Sequence, residues 1–483
     1  MRILENLEPS KVFYFFEEIS RIPHISHHEK ELSDYCAAFA KERNLYCEQD
    51  NMGNIFIVSP ATVGYEDAEP VIIQGHLDMV GAKTADCPLN LEKDGLELYV
   101  EDGFVRAKGT TLGGDDGIAV AYALAILDSD DIPHPKLEVL LTVAEEVGLL
   151  GATAMDLSSC TGRKLINLDS EAEGIFTAGC AGGRRAVGEI PLQRSMKTGY
   201  YVKARISGLL GGHSGGDIQK GRGNAIILLG RFLLMLREKI TYGLIDLAGG
   251  EKENVIPSEC HASLIVNPRN LDDLLQTASI FNEALRSEYG TTDSGVKLSL
   301  DYEDDEEETE LILTTFSLDK VLTIFNLMPN GIYSMSADLP GLVETSCSMG
   351  VACIENEMFR FRISIRSSLT SGKEMLSQRI KLLINMMDGD VQFQGNYPAW
   401  QFSKESPFRE TCLAIYREMF DKEPVVEIVH GGLECGILSD RIPGLDCISF
   451  GPDIHGAHSV NERMDIASVQ RMWEYLKAVL AAK

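Results

Sequence analysis

The sequence predicts an α/β protein: a mixed, mainly parallel sheet sandwiched by helices, with an α+β domain inserted into it. Three observations lead there. Short apolar runs that read as buried strands alternate with helical patterns over residues 1–184 and again over 398–483, as in a sheet with crossover helices. Residues 185–397 instead hold longer strands of alternating polarity and separate amphipathic helices. Acidic and histidine residues stand at the ends of several buried runs, where parallel sheets gather ligand groups. The expected organisation is one domain in two parts, 1–184 and 398–483, around an insertion at 185–397.

Taken in order, Pro9 and Ser10 open a helix with Val12, Phe15, Phe16 and Ile19 on one face, and a second helix is expected over 27–43. Strands at 45–49 and 54–58 flank an Asp50-Asn-Met-Gly turn. Val71, Ile72 and Ile73 form a buried strand, and Gly75 is expected to turn the chain where that strand ends. A hairpin follows, 96–100 with Phe104–Ala107, around Asp102-Gly103. The loop Thr110-Thr-Leu-Gly-Gly-Asp-Asp-Gly117 leads into an apolar helix from Ile118. The strand 137–143 ends in Ala144-Glu145-Glu146, and the strand 164–168 ends in Asp169.

The insertion is expected to hold strands at 200–206, 261–266 and 359–365 and helices at 224–239, 272–286 and 373–387. Its acidic run, 303–308, reads as a solvated hairpin or loop. No internal repeat is visible. The last part is expected to contain a helix over Pro407–Phe420, strands at Val425–Val429 and 447–449, and a closing helix at 465–481.

The 483 residues carry 73 acidic against 44 basic side chains, a formal net charge of −29. Such a surface repels phosphate backbones and anionic lipid, so neither nucleic acid nor membrane is expected as a partner. No apolar run approaches the ~18 residues of a membrane span. The N-terminus lacks the basic start and apolar core of a signal peptide. Eleven cysteines are scattered without a CxxC pair, as expected of reduced thiols in a cytoplasmic protein.

Five separated stretches offer metal-ligand types: His76 with Asp78, Asp115, Glu145 with Glu146, Asp169, and His458. Each also has a plain structural reading. His76 and Asp78 leave an extended backbone on one face, to hold a metal or to bond each other. The Gly113-Gly-Asp-Asp-Gly117 stretch could cap the next helix, and His458 could be a surface residue. Together they argue for a cation, because carboxylates crowded at one sheet edge repel unless a cation neutralises them. Two histidines with several carboxylates suit a pair of divalent ions, zinc by preference, with manganese or cobalt as substitutes. Adjacent glutamates at a strand end point apart, so one can ligate while the other faces a bound water. The implied chemistry is hydrolysis at a carbonyl. A nucleotide site is disfavoured, since no GxxxxGK[ST] occurs and the glycine runs near Gly211 and Gly221 lack GxGxxG spacing.

In order and type, His76-Leu-Asp78, Gly113-Gly-Asp115-Asp116, Glu145-Glu146, Asp169 and His458 resemble the co-catalytic zinc peptidases, a family that includes aminoacylases, tripeptidases and carnosinases. The likeness runs the length of the chain. Gly179-Cys-Ala-Gly-Gly183, Gly211-Gly-His-Ser-Gly-Gly-Asp-Ile218 and His430-Gly-Gly-Leu-Glu-Cys-Gly436 resemble its aminoacyl-histidine dipeptidase branch. The resemblance implies a zinc-peptidase-like catalytic domain with an inserted lid or dimerisation domain, and a homodimer. It implies two zinc ions bridged by Asp115, one held by His76 and Asp169, the other by Glu146 and His458. Glu145 would be the general base and Asp78 would orient His76. His213 would stabilise the oxyanion, acting across a dimer interface or within one chain, and Asn254 and Arg366 would bind the substrate's carboxylate end. The implied substrates are small unblocked dipeptides, Xaa-His and β-alanyl-histidine among them. An N-acyl amino acid deacylase or carboxypeptidase using the same metals is the alternative. One departure stands out: many relatives have Lys two positions after the bridging Asp, where this chain has Gly117.

Overall fold

The computed structural model describes residues 2–303 and 306–482. Contacts divide the chain into two compact units: Met1–Cys180 with Trp400–Ile428 and Leu433–Lys483, and Ala181–Ala399 with Val429–Gly432.

The first unit is built on an eight-stranded sheet in the order Tyr46–Gln49, Ile55–Ser59, Leu137–Thr142, Val71–His76, Lys164–Asn167, Asp446–Ser449, Ile175–Cys180, Val425–Val429. Its four central strands, from Leu137–Thr142 to Asp446–Ser449, run parallel, and Tyr46–Gln49, Ile55–Ser59 and Ile175–Cys180 join antiparallel. Leu137–Thr142 and Val71–His76 are buried at every residue. That is why both read as unbroken apolar runs. The helix Gly114–Leu127 is apolar on all sides because it is enclosed on all sides: every residue after Asp115 is buried. With the helices Ser10–Ser20, Pro407–Phe420 and Ile466–Ala481 it forms one continuous core.

Gly75 does not turn the chain as expected. The strand continues through it to His76, which pairs with Thr142. The reason for glycine is space: a Cβ there would lie 2.6 Å from the Ala119 Cβ and 2.7 Å from Asp116 Oδ2. The missing side chain lets the helix Gly114–Leu127 approach the strand closely and lets Asp116 reach its backbone.

The second unit has its own core around a ten-stranded antiparallel sheet. Eight strands lie in one line: Lys297–Tyr302, Arg194–Ser207, Cys260–Val266, Tyr242–Gly249, Val343–Glu355, Met358–Ser367, Gly182–Pro191, Asp390–Tyr397. With the helices Ala225–Arg237 and Leu271–Tyr289, the first four form a βαββαβ unit of order 4-1-3-2. The other four, with Thr315–Leu327 and Thr370–Met386, form a second βαββαβ unit of order 2-3-1-4. The two meet antiparallel through their second strands, Ala248 opposite Cys353 and Gly249 opposite Ala352. The first repeat is inserted between the first strand and first helix of the second. No sequence periodicity reveals this duplication, because a sheet topology constrains polarity along each strand rather than residue identity. The helix Thr315–Leu327 was also not among the expected elements. Of the acidic run, Asp304 and Asp305 lie outside the described residues.

Candidate metal centre

His76 closes its strand with the imidazole buried. Its Nδ1 lies 2.9 Å from the Asp78 carbonyl oxygen and 3.5 Å from Asp78 Oδ1. A carbonyl only accepts, so Nδ1 donates and Nε2 is left as the ligand atom. The Asp78 carboxylate is spent mainly on the neighbouring strand end: Oδ1 accepts from Glu145 N–H at 2.9 Å, and Oδ2 from Glu146 N–H at 3.3 Å and Ser26 Oγ at 2.8 Å. One aspartate therefore holds both His76 and the Glu145-Glu146 turn.

His76 Nε2 lies 3.1 Å from Asp115 Oδ1 and 3.7 Å from Asp169 Oδ1. His458 Nε2 lies 3.0 Å from Asp115 Oδ2 and 2.9 Å from Glu146 Oε1. The two oxygens of Asp115 thus face different histidines, each backed by a second carboxylate. Glu146 Oε1 is buried and has no hydrogen-bond partner even though His458 is so near. Two ligand atoms close together but not aligned as a hydrogen bond fit a shared ion between them. Three overlapping groups have all their ligand atoms within 4.8 Å of one another: His76, Asp116 and Asp169; His76, Glu145 and Glu146; Asp115, Glu146 and His458.

The electrostatics agree. Burial works against charge on His76, yet its contacts with Asp115, Asp169 and Asp78 outweigh it and raise the imidazole well above its ordinary range. Asp115 and Glu146 raise His458 to about 11. Burial lifts Asp169 to about 6 and lifts Glu145 well above the usual carboxylate range, Asp169, Glu434 and Glu146 adding to the latter while His76 opposes. The cluster demands positive charge at the two imidazole positions, where divalent cations would supply it. The residues present fit a pair of such ions.

Sequence reasoning missed three side chains here. Asp116 is buried and accepts from the His76 N–H at 3.0 Å. Glu434, also buried, accepts from Thr142 Oγ1 at 2.5 Å and from Gln74. Glu462 binds the backbone that carries Asp115. Asp116 was hidden by its ligand-type neighbour. Glu462 had one signal, its place four residues after His458.

In the second unit, His213 lies on the short strand Gly212–His213, paired with Val255–Ile256. Its Nδ1 accepts from Gly216 N–H at 3.0 Å, so the neutral ring carries its proton on Nε2, 3.3 Å from Arg366 Nη2. Two donors therefore stand side by side. Arg366 is buried, donates from Nη1 to the Tyr397 hydroxyl at 3.2 Å, and has no hydrogen-bond partner at Nε. His430 bonds Ser346 Oγ at 2.7 Å, and burial with the nearby Arg366 and His213 lowers it to about 4. Asn254 is exposed, and its carbonyl accepts from Ser214 N–H at 2.8 Å.

Along its whole length (99% of each chain) the protein is 37% identical to the cytosol non-specific dipeptidase of Escherichia coli. The crystal structure of an aminoacylhistidine dipeptidase from Vibrio alginolyticus matches with a TM-score of 0.90 at 33% identity, covering 99% of this chain and 97% of that one. An aminopeptidase from Bacillus cereus shares the fold at 15% identity, with a TM-score of 0.57 and 98% of both chains covered. Residues 72–482, which run from the strand bearing His76 to the closing helix, match the model of peptidase family M20/M25/M40, and the chain is a hydrolase of that family.

Proposed function

We propose that the chain is a dinuclear zinc metallopeptidase that hydrolyses unblocked dipeptides, Xaa-His and β-alanyl-histidine among them. The observation that carries it is Asp115, whose oxygens face His76 and His458 separately. In this reading His76 and Asp169 would hold one ion, Glu146 and His458 the other, with Asp115 shared by both. Imidazole with carboxylate suits zinc, with cobalt or manganese as substitutes. The relatives' names, a cytosol non-specific dipeptidase and an aminoacylhistidine dipeptidase, support the substrate class and a cytoplasmic location.

Two such ions, when bound, would polarise the scissile carbonyl and acidify the attacking water. Glu145 would take a proton from the attacking water on its carboxylate and pass it to the nitrogen of the leaving amine. Its carboxylate lies within 4.8 Å of the ligand atoms of His76 and Glu146, which supports this role. Asp78 keeps the His76 Nδ1 proton in place and the Glu145-Glu146 turn fixed. His213 donates to the oxyanion that forms at the carbonyl. Arg366 grips the substrate's carboxylate by a charge-assisted fork, with Asn254 beside it; the unpaired Arg366 Nε and the facing donor of His213 support an anion there.

The test is hydrolysis of β-alanyl-histidine, Leu-His and an N-acetylated amino acid by metal-stripped protein before and after zinc is added. Zinc-dependent cleavage of the free dipeptides alone is expected. Cleavage of the acetylated compound instead would move the function to a deacylase. The resemblance adds a homodimer, and sedimentation of the zinc-loaded sample at the 53.1 kDa of one chain would remove that part.

A further inference from the structure

Asp115 lies in a turn ahead of the regular part of the helix Gly114–Leu127: Asp115 (φ −84°, ψ 105°) and Asp116 (φ −118°, ψ 28°) are non-helical, and Gly113 offers no side chain to the N–H groups of that turn. Their partner comes from far along the chain. Glu462 Oε2 accepts from the N–H of Leu112 (2.7 Å) and Gly113 (3.1 Å), and Oε1 from Gly114 (2.8 Å) and Asp115 (3.4 Å). Its carboxylate is 3% exposed, enclosed by the loop it binds. A carboxylate surrounded by backbone N–H groups makes charge-assisted hydrogen bonds to them.

Glu462 shares a loop with His458. The strands Ile454–His455 and Arg463–Asp465 pair at the base of that loop, and Glu462 N–H bonds the Ser459 carbonyl across it at 3.1 Å. One loop therefore grips Asp115 twice, at its main-chain N–H through Glu462 and at Oδ2 through His458. Because Glu462 takes the N–H groups of the turn and Asp116 takes the His76 N–H, both oxygens of Asp115 are left to the histidines.

We propose that Glu462 is a positioning residue for the metal pair: it locks the bridging Asp115 against His458 and so sets the affinity of the Glu146–His458 position without touching an ion. This rests on the two-ion reading above. The distinguishing variant is Glu462→Gln, which keeps the volume but turns an acceptor into a donor facing two backbone donors. Gly114→Ala disturbs the same contact from the other side, because its Cβ would lie 3.2 Å from Glu462 Oε1.

Zinc affinity and stoichiometry are measured by competition with a chelator, alongside thermal unfolding of the metal-free proteins. Wild type is expected to bind two ions. Glu462→Gln is expected to keep the first and weaken the second by roughly 10- to 100-fold, with turnover restored by excess zinc. Gly114→Ala is expected to weaken the same ion to a smaller extent. Unchanged affinities in both variants, or equal weakening of both ions with a lower melting point of the metal-free protein, would overturn the proposal. A wild type that binds fewer than two ions would overturn the reading beneath it as well.

Discussion

Asp115 can serve two histidines because its neighbours carry out what a residue in its place ordinarily does. An aspartate in a turn ahead of a helix commonly spends its side chain on nearby backbone N–H groups. Here Glu462 takes those N–H groups and the contact to the strand is made by Asp116. The adjacent glutamates divide the work similarly: Glu146 lies 2.9 Å from His458, while Glu145 is pushed well above the usual carboxylate range by burial and by Asp169, Glu434 and Glu146. Glu145→Gln, which preserves shape but cannot accept the proton, is expected to lower kcat by about 10²- to 10⁴-fold. Metal content measured on the same sample should be unchanged. Undiminished turnover with both ions bound would remove Glu145 as the base. The ligand-type residues were legible in sequence because they stand at strand ends or in glycine-rich loops. Glu462 was not, because what it binds is backbone hundreds of residues away, and backbone leaves no mark on residue identity.

At the level of elements, periodicity located most strands and helices to within a few residues. Strands buried on both sides announced themselves as apolar runs, Val71–His76 and Leu137–Thr142 above all. The division of the second unit into two βαββαβ repeats did not, since equivalent strands in the two copies share a place in the sheet and not a sequence. Asn224 joins the repeats. Its Oδ1 accepts from Ile226 and Ile227 N–H to cap the helix Ala225–Arg237, and its Nδ2 donates at 2.9 Å to the Met349 carbonyl on a strand of the other repeat. Asn224→Ala removes the cap and leaves that buried carbonyl without this donor, an expected loss of about 1–2 kcal/mol. Urea unfolding checks it, and an unchanged midpoint would show that the join depends on the strand pairing alone.

On the scale of the whole chain, a net charge of −29 sets the company it keeps. Among the described residues no helix is long and apolar enough to cross a membrane. A surface so acidic concentrates cations and amine-bearing solutes and repels polyanions. The same excess, gathered at one sheet edge, becomes the cluster whose histidines are driven towards positive charge. Two divalent ions are expected to take those positions, and activity to follow them. The most direct measurement is a zinc titration of metal-stripped protein, recording bound zinc and β-alanyl-histidine hydrolysis together. Activity should climb until the second equivalent is bound and then level off. Full turnover without metal, or a plateau at one equivalent, would contradict it.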